Sequence, residues 1–268
     1  MESEEKFVSK VINECEISLR DSDDYFGNLF DTLKRKTMEK TVKCCAFKFG
    51  NAQRKVDAGL TQEEIKSAYD SISKIYDAWA FLTESRARER ALELSGIENG
   101  MRVLEVAVGT GLAFKEIVER NSAGYNAGID LSDGMLNRAK RRLSRKDAGN
   151  YELKIGNAAD LSYPAESFDI LFNNYMFDLF PFEKMDEVIG EFHRVLKPGG
   201  RLILVNMTVG RSAGSRLYDA VYRLSPKLLG GCRGVEMVEK LERNGFRVER
   251  REYIEQMFFP SEIVIATK

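Results

Sequence analysis

Two glycines and two acids stand at spacings suited to gripping a nucleoside. Gly109 and Gly111 follow directly on the run Val103-Leu104-Glu105-Val106-Ala107-Val108, whose only charged member is Glu105. A second run, Tyr125 to Asp130, ends in a carboxylate. Lacking Cβ, the glycines permit a tight turn and let a ligand lie against backbone where a helix begins. An acid at the tip of the next strand, about twenty residues on, is where the two hydroxyls of a ribose are held.

Such an arrangement suits a dinucleotide or S-adenosylmethionine. In the dinucleotide fingerprint the residue three after the second glycine is small, so that the helix packs closely on its strand and faces a pyrophosphate. Here it is Phe114, which favours the ligand without a pyrophosphate. A second chemistry-bearing stretch is Asn173-Asn174-Tyr175-Met176-Phe177-Asp178-Leu179-Phe180. Asn173 and Asn174 offer amides, Tyr175 a phenol and Asp178 a carboxylate among apolar groups, a mixture that can bind a flat or lipophilic acceptor and take a proton from it. Tyr69 and Tyr76, on a helix with Ile72 and Trp79, are candidates to close over that site. The single histidine, His193, reads as structural, and its isolation argues against a histidine-based hydrolase or zinc site.

Strands and helices alternate from Met101 onward, which implies right-handed crossovers and a parallel sheet. The spacing predicts strands at Val103 to Val108, Tyr125 to Asp130, Tyr151 to Gly156, Phe168 to Asn173 and Arg201 to Met207, then an antiparallel pair at Phe246 to Tyr253 and Met257 to Thr267. Helices are expected at Glu84 to Leu94, Leu112 to Arg120, Ser132 to Arg145, Met185 to Leu196 and Val235 to Asn244. Leu196-Lys197-Pro198-Gly199-Gly200 should turn the chain into the fifth strand.

The 268 residues, 43% of them hydrophobic, can bury one substantial core and an appendage. We expect an N-terminal helical extension over 1–58, and a main domain over 59–268 with a basic amphipathic insertion at about 208–233. The extension could pack over the core, gate the pocket or make a homodimer contact. The insertion reads first as an ordinary solvated lid helix, and could alternatively hold an anionic acceptor or rest on a membrane surface. A net charge of −1 gives no bulk affinity for nucleic acid. The acidic start Met1-Glu2-Ser3-Glu4-Glu5-Lys6 lacks a signal-peptide pattern, so a cytoplasmic location is expected. Cys15, Cys44 and Cys45 could together take a soft metal or metalloid, but apolar packing of reduced thiols is the preferred reading, and no metal site is assigned.

Several separate stretches make the chain resemble the class I S-adenosylmethionine-dependent methyltransferases. Leu104 to Gly111 is similar to that family's first motif, with Ala107 in place of the usual first glycine. Asp130-Leu131-Ser132-Asp133-Gly134-Met135-Leu136, Gly156-Asn157-Ala158-Ala159-Asp160-Leu161, Ser167-Phe168-Asp169-Ile170 and Arg194 to Gly200 supply the rest, in the family's order over roughly residues 65 to 268. The tyrosine-rich helix with Tyr69-Asp70 and Tyr76-Asp77 looks most like the menaquinone and ubiquinone C-methyltransferase branch and its small-molecule relatives.

The resemblance implies a Rossmann-like, seven-stranded, mostly parallel sheet with helices on both faces, and S-adenosyl-L-methionine as cofactor. It implies that Glu105, Ala107, Gly109 and Gly111 cradle the methionine end and that Asp130 holds the ribose. Leu131 and Met135 would press the adenine, with Asn157 and the Ala158 amide at its polar edge and Asn173 beside the cofactor. The expected reaction is methyl transfer to a small, fairly apolar acceptor at carbon or oxygen. Two alternatives stay open: transfer to sulfur, nitrogen or a metalloid using Cys44 and Cys45, and a cofactor-binding scaffold without catalysis.

Overall fold

A computed structural model describes residues 77, 80–144, 150–212, 215, 233–257 and 259–268. The chain divides into two units, Met1–Arg54 and Lys55–Lys268, and every described residue belongs to the second. Tyr69, Tyr76, all four cysteines and most of the basic insertion lie outside the described residues.

The described elements are α1 (Ser85–Leu94), β1 (Arg102–Val106), α2 (Leu112–Arg120), β2 (Tyr125–Asp130), α3 (Asp133–Leu143), β3 (Tyr151–Ile155), β4 (Phe168–Asn174), a single 3-10 turn (Phe177–Leu179), α4 (Phe182–Val195), β5 (Leu196–Met207), α5 (Val238–Arg243), β6 (Arg247–Gln256) and β7 (Phe259–Thr267). They build one seven-stranded sheet in the order β3-β2-β1-β4-β5-β7-β6. The pairs from β3 through β5 are parallel, and β7 joins β5 and β6 antiparallel, as the closing hairpin predicted from sequence. Strand order reverses between β1 and β4, and ligands of open α/β sheets bind outside the strand ends at such a point.

Alternate residues of the central strands feed two apolar layers, as a sheet covered on both faces requires. Leu104, Val106, Leu171 and Leu204 pack beneath Val188, Ile189 and Phe192 of α4. Val103, Ile170, Phe172 and Ile203 pack against Ala87 and Ala91 of α1 and Ile117 of α2. Burial of each such large side chain contributes about 1.5–3 kcal/mol. Of the two described edges, β3 is only partly covered and ends in exposed residues.

Besides shifts of one to three residues at other element ends, two boundaries differ from the sequence reading in ways that shape the sheet. The first strand stops at Val106, because Ala107 takes a left-handed backbone (φ 63°) that swings the chain across the sheet's end. The turn expected at Pro198-Gly199-Gly200 is absorbed into the irregular start of β5. Helix α4 ends at Val195, Leu196 pairs at once with Phe168, and a register shift separates that pair from Ile170↔Arg201. Gly199 (φ 74°) donates its N–H to the Lys268 carbonyl, so the glycines bind the last residue of the chain. Among the described residues no helix is long and apolar enough to cross a membrane.

Candidate functional site

An open cleft of about 840 Å³ lies at the carboxyl ends of β1, β2 and β4. Its floor is Val106, Ala107 and Gly109, one wall is Ile129 to Ser132 with Met135, and the far end is Gly156, Asn157 and Ala158. Asn174, Tyr175, Met176, Leu179 and Phe180 form the opposite wall. A smaller recess of about 390 Å³ opens beside it, bounded by Arg88, Glu105, Thr110 and Leu112. The two share Ala107, Gly109, Asn174 and Tyr175.

Asp130 stands at the tip of β2, where Oδ2 accepts from the Gly109 N–H at 2.7 Å and Oδ1 from the Ser132 N–H at 2.9 Å. The Ser132 side chain in turn accepts from Met135 N–H and caps α3. The two backbone bonds to Asp130 fix the direction of the carboxylate at the edge of the cleft. Leu131 is partly solvent-exposed at the mouth while Met135 is buried beneath it. Asn157 already accepts from the Ala159 N–H through its amide oxygen, at 3.0 Å.

Glu105 is buried in the recess, and that burial pushes its carboxyl up to about 8 despite the hydrogen bond from Asn174 Nδ2 to Oε1 at 3.2 Å. Repulsion from Asp130 adds to the rise and Arg88 opposes it. Glu105 Oε2, Asn174 Oδ1 and Arg88 Nε are all buried without a hydrogen-bond partner. Leaving such groups unsatisfied costs about 1–3 kcal/mol each, more for charged ones. An acid and a guanidinium with spare capacity in one recess fit a ligand that brings both an ammonium and a carboxylate.

The remaining expected residues divide. Ala107, Gly109, Leu131, Met135, Asn157 and Ala158 meet Asp130 on the cleft, and Glu105 is in the recess. Gly111 and Asn173 are on neither wall. Gly111 (φ 80°) starts α2 where a Cβ would come within 2.9 Å of Ala139 Cβ, so its bareness serves helix packing. Asn173 is fully buried and donates to the Val106 carbonyl at 2.9 Å, holding β4 to β1. Tyr175 lines both chambers, but its hydroxyl shares a hydrogen bond with Ser261 Oγ at 2.7 Å, and burial, with Glu84 nearby, raises the phenol well above its usual range. Asp178 is buried behind the cleft, and its carbonyl accepts from Arg233.

Arg88 was not found by sequence reasoning. Arg88 sits in the charged stretch Ser85-Arg86-Ala87-Arg88-Glu89-Arg90, where nothing in the pattern separates an inward arginine from solvated ones. Asn174, offered beside Asn173 as an amide after the fourth strand, is the one of the two that lines the cleft.

Residues 103–200 match the family model described as "Methyltransferase domain". The chain is 28% identical over 175 residues to a demethylmenaquinone methyltransferase of Listeria monocytogenes, an alignment covering 63% of this chain and 73% of that protein. It is 29% identical over 192 residues to a ubiquinone/menaquinone biosynthesis C-methyltransferase of Hydrogenovibrio crunogenus, covering 66% of this chain and 75% of that one. Among solved structures, an S-adenosylmethionine-dependent methyltransferase from Aquifex aeolicus superposes with a TM-score of 0.55 at 21% identity, over 74% of this chain and 97% of the other. That likeness concerns the fold.

Proposed function

We propose that this chain transfers a methyl group from S-adenosylmethionine to a small, fairly apolar acceptor, at carbon or oxygen, a reading supported by the match of residues 103–200 to a methyltransferase domain model and by the order of the seven-stranded sheet. The observation that carries the reading is the pairing of Asp130 on the cleft with Glu105 and Arg88 in the recess. A ribose and an amino-acid zwitterion joined through one sulfur would engage all three. Glu105 would take the ammonium, Arg88 the carboxylate and Asp130 the sugar hydroxyls. Leu131 and Met135 would lie along the adenine, with Asn157 and Ala158 at its edge.

The bound cofactor supplies a methyl already activated by the sulfonium. The work left to the chain is alignment and exclusion of water, which can account for much of a barrier reduction. Met176, Leu179 and Phe180 give the cleft an apolar wall suited to a flat or lipophilic acceptor. The two relatives named above, both quinone-pathway methyltransferases by name, support a quinone-like acceptor as the first class to assay.

Calorimetric titration with S-adenosylmethionine, its demethylated product, adenosine and NAD tests the reading. The methionine-bearing ligands should bind, adenosine should bind more weakly for want of the zwitterion, and NAD should give no heat. Absence of heat with millimolar S-adenosylmethionine, or preference for NAD, would overturn it. Methyl-labelled cofactor with reduced quinones of short chain length then tests the acceptor.

A further inference from the structure

We propose that Asp77 is a positioning residue for cofactor binding, holding the loop from Ala107 to Gly111 in its ligand-ready shape from outside the sheet. The inference rests on the nucleoside site assigned above and extends it to a residue that touches neither chamber.

The loop does not keep its shape by local preference. Ala107, Gly109 and Gly111 have φ of 63°, 57° and 80°, and the left-handed region disfavours a residue with a Cβ by about 1–2 kcal/mol. Its own backbone contributes the bonds from Val108 N–H to the Ile129 carbonyl and from Gly111 N–H to the Val108 carbonyl. The other ties come from side chains. Asp130 takes the Gly109 N–H from the cleft side. Thr110, buried between the glycines and bounding the recess, is tied through its side chain to Asp77.

Three groups close around Thr110. Its hydroxyl donates to Asp77 Oδ1, its carbonyl accepts from Arg142 Nη1, and Arg142 Nη2 donates to Asp77 Oδ2 at 2.6 Å. Arg138 stands 4.0 Å from the same carboxylate. The Asp77 and Arg142 side chains are 33% and 22% exposed, so the pair is screened less than one on open surface. Only a carboxylate answers both donors: the amide of an asparagine could accept from Thr110 but would turn N–H groups toward Arg142.

Asp77 lies on helical backbone ahead of α1 in the sequence, whereas Thr110 belongs to the turn that opens α2 and Arg142 to α3. The carboxylate thus ties the segment leading into α1 to the cofactor loop. By linkage, a ligand that favours the bound shape of residues 107–111 must strengthen the Asp77 contact by the same factor that the contact strengthens ligand binding.

The test titrates S-adenosylhomocysteine into wild type, Asp77→Asn, Thr110→Val and the double variant, and follows amide exchange of residues 80–94 with and without ligand. Each single variant should weaken binding about tenfold, the size of a lost charge-assisted hydrogen bond, and the double should be no weaker than either, since both break one contact. Ligand should slow exchange at residues 80–94 in wild type and in Asp77→Glu, and leave it unchanged in Asp77→Asn. A purely stabilising ion pair would lower the unfolding midpoint without altering affinity or the ligand's effect on exchange. Affinity within twofold of wild type in folded Asp77→Asn, or in Thr110→Val should Asp77→Asn not fold, overturns the proposal. Failure of the wild type to bind sinks the cofactor reading instead.

Discussion

The ring of Phe114 lies over bare backbone at Gly128: a Cβ built there would stand 3.1 Å from Phe114 Cε2, and 2.7 Å from both Val108 Cγ2 and Leu153 Cδ2. Dinucleotide folds obtain close helix-to-strand packing with a small residue on the helix. In this chain the helix carries the large residue and β2 the glycine. Gly128→Ala should cost about 1–3 kcal/mol through overpacking, read as a lower urea midpoint at unchanged slope. A change below about 0.5 kcal/mol, the scale of neutral surface substitutions, would show that the layer can shift to admit a methyl.

That reciprocity explains what the sequence could disclose. Phe114 weighed against a pyrophosphate-binding helix start, and the alternation of runs disclosed the sheet and its closing hairpin, because both follow from local size and periodicity. The end of β1 was misjudged because Ala107 carries no mark of a left-handed residue; glycine would have. Asn173 and Asn174 are chemically identical neighbours, and only strand pleat decides that one ties β4 to β1 while the other donates to Glu105. Arg88 was invisible because the recess it lines with Glu105 of β1 and Asn174 of β4 is assembled from segments far apart along the chain.

Asp130 accepts from the Gly109 N–H and, in the proposed function, holds a ribose, so its replacement should be informative at two levels. With Asp130→Ala the Gly109 N–H loses its acceptor and the sugar its anchor. Loss of hydrogen bonds to a charged group amounts to about 1.5–3 kcal/mol each, so S-adenosylhomocysteine should bind tenfold to several-hundredfold more weakly, while the circular dichroism spectrum stays that of wild type. Undiminished affinity in a folded sample would remove the ribose from the tip of β2.

Arg88 should separate the amino-acid end of the ligand from the nucleoside. Arg88→Ala is expected to weaken S-adenosylhomocysteine about tenfold or more, as for a lost charge-assisted contact, and to leave adenosine affinity where it was. Lysine should rescue only in part, since a point charge does not reproduce the guanidinium fork. Equal losses for both ligands would mean that the substitution deforms the recess.

Tyr175 distinguishes a chemical role from a structural one. Its hydroxyl is committed to Ser261 between β4 and β7, and its phenol is held protonated by burial. Tyr175→Phe should therefore lower stability by about 1 kcal/mol and leave cofactor affinity and label transfer near wild type, with Ser261→Ala giving a similar loss and the double variant less than the sum. Collapse of label transfer at unchanged stability would restore the phenol to the reaction.

Glu105 makes stability and cofactor affinity depend on pH in opposite directions. Its folded-state value of about 8 lies above the ordinary 4.5, so the folded form holds a proton that the unfolded chain releases. The stability this provides is complete below about 4.5 and is lost as pH rises toward 8. An ammonium ligand requires the carboxylate, so cofactor affinity should climb over the same interval, with a proton released on binding near neutral pH. Thermal midpoints from pH 5 to about 9, and binding heats in buffers of differing ionisation enthalpy, read the two effects. Glu105→Gln should flatten the stability profile, abolish proton release and weaken the methionine-bearing ligands more than adenosine. A variant that keeps the wild-type pH profile would assign the dependence to another group and leave the ammonium without its acid.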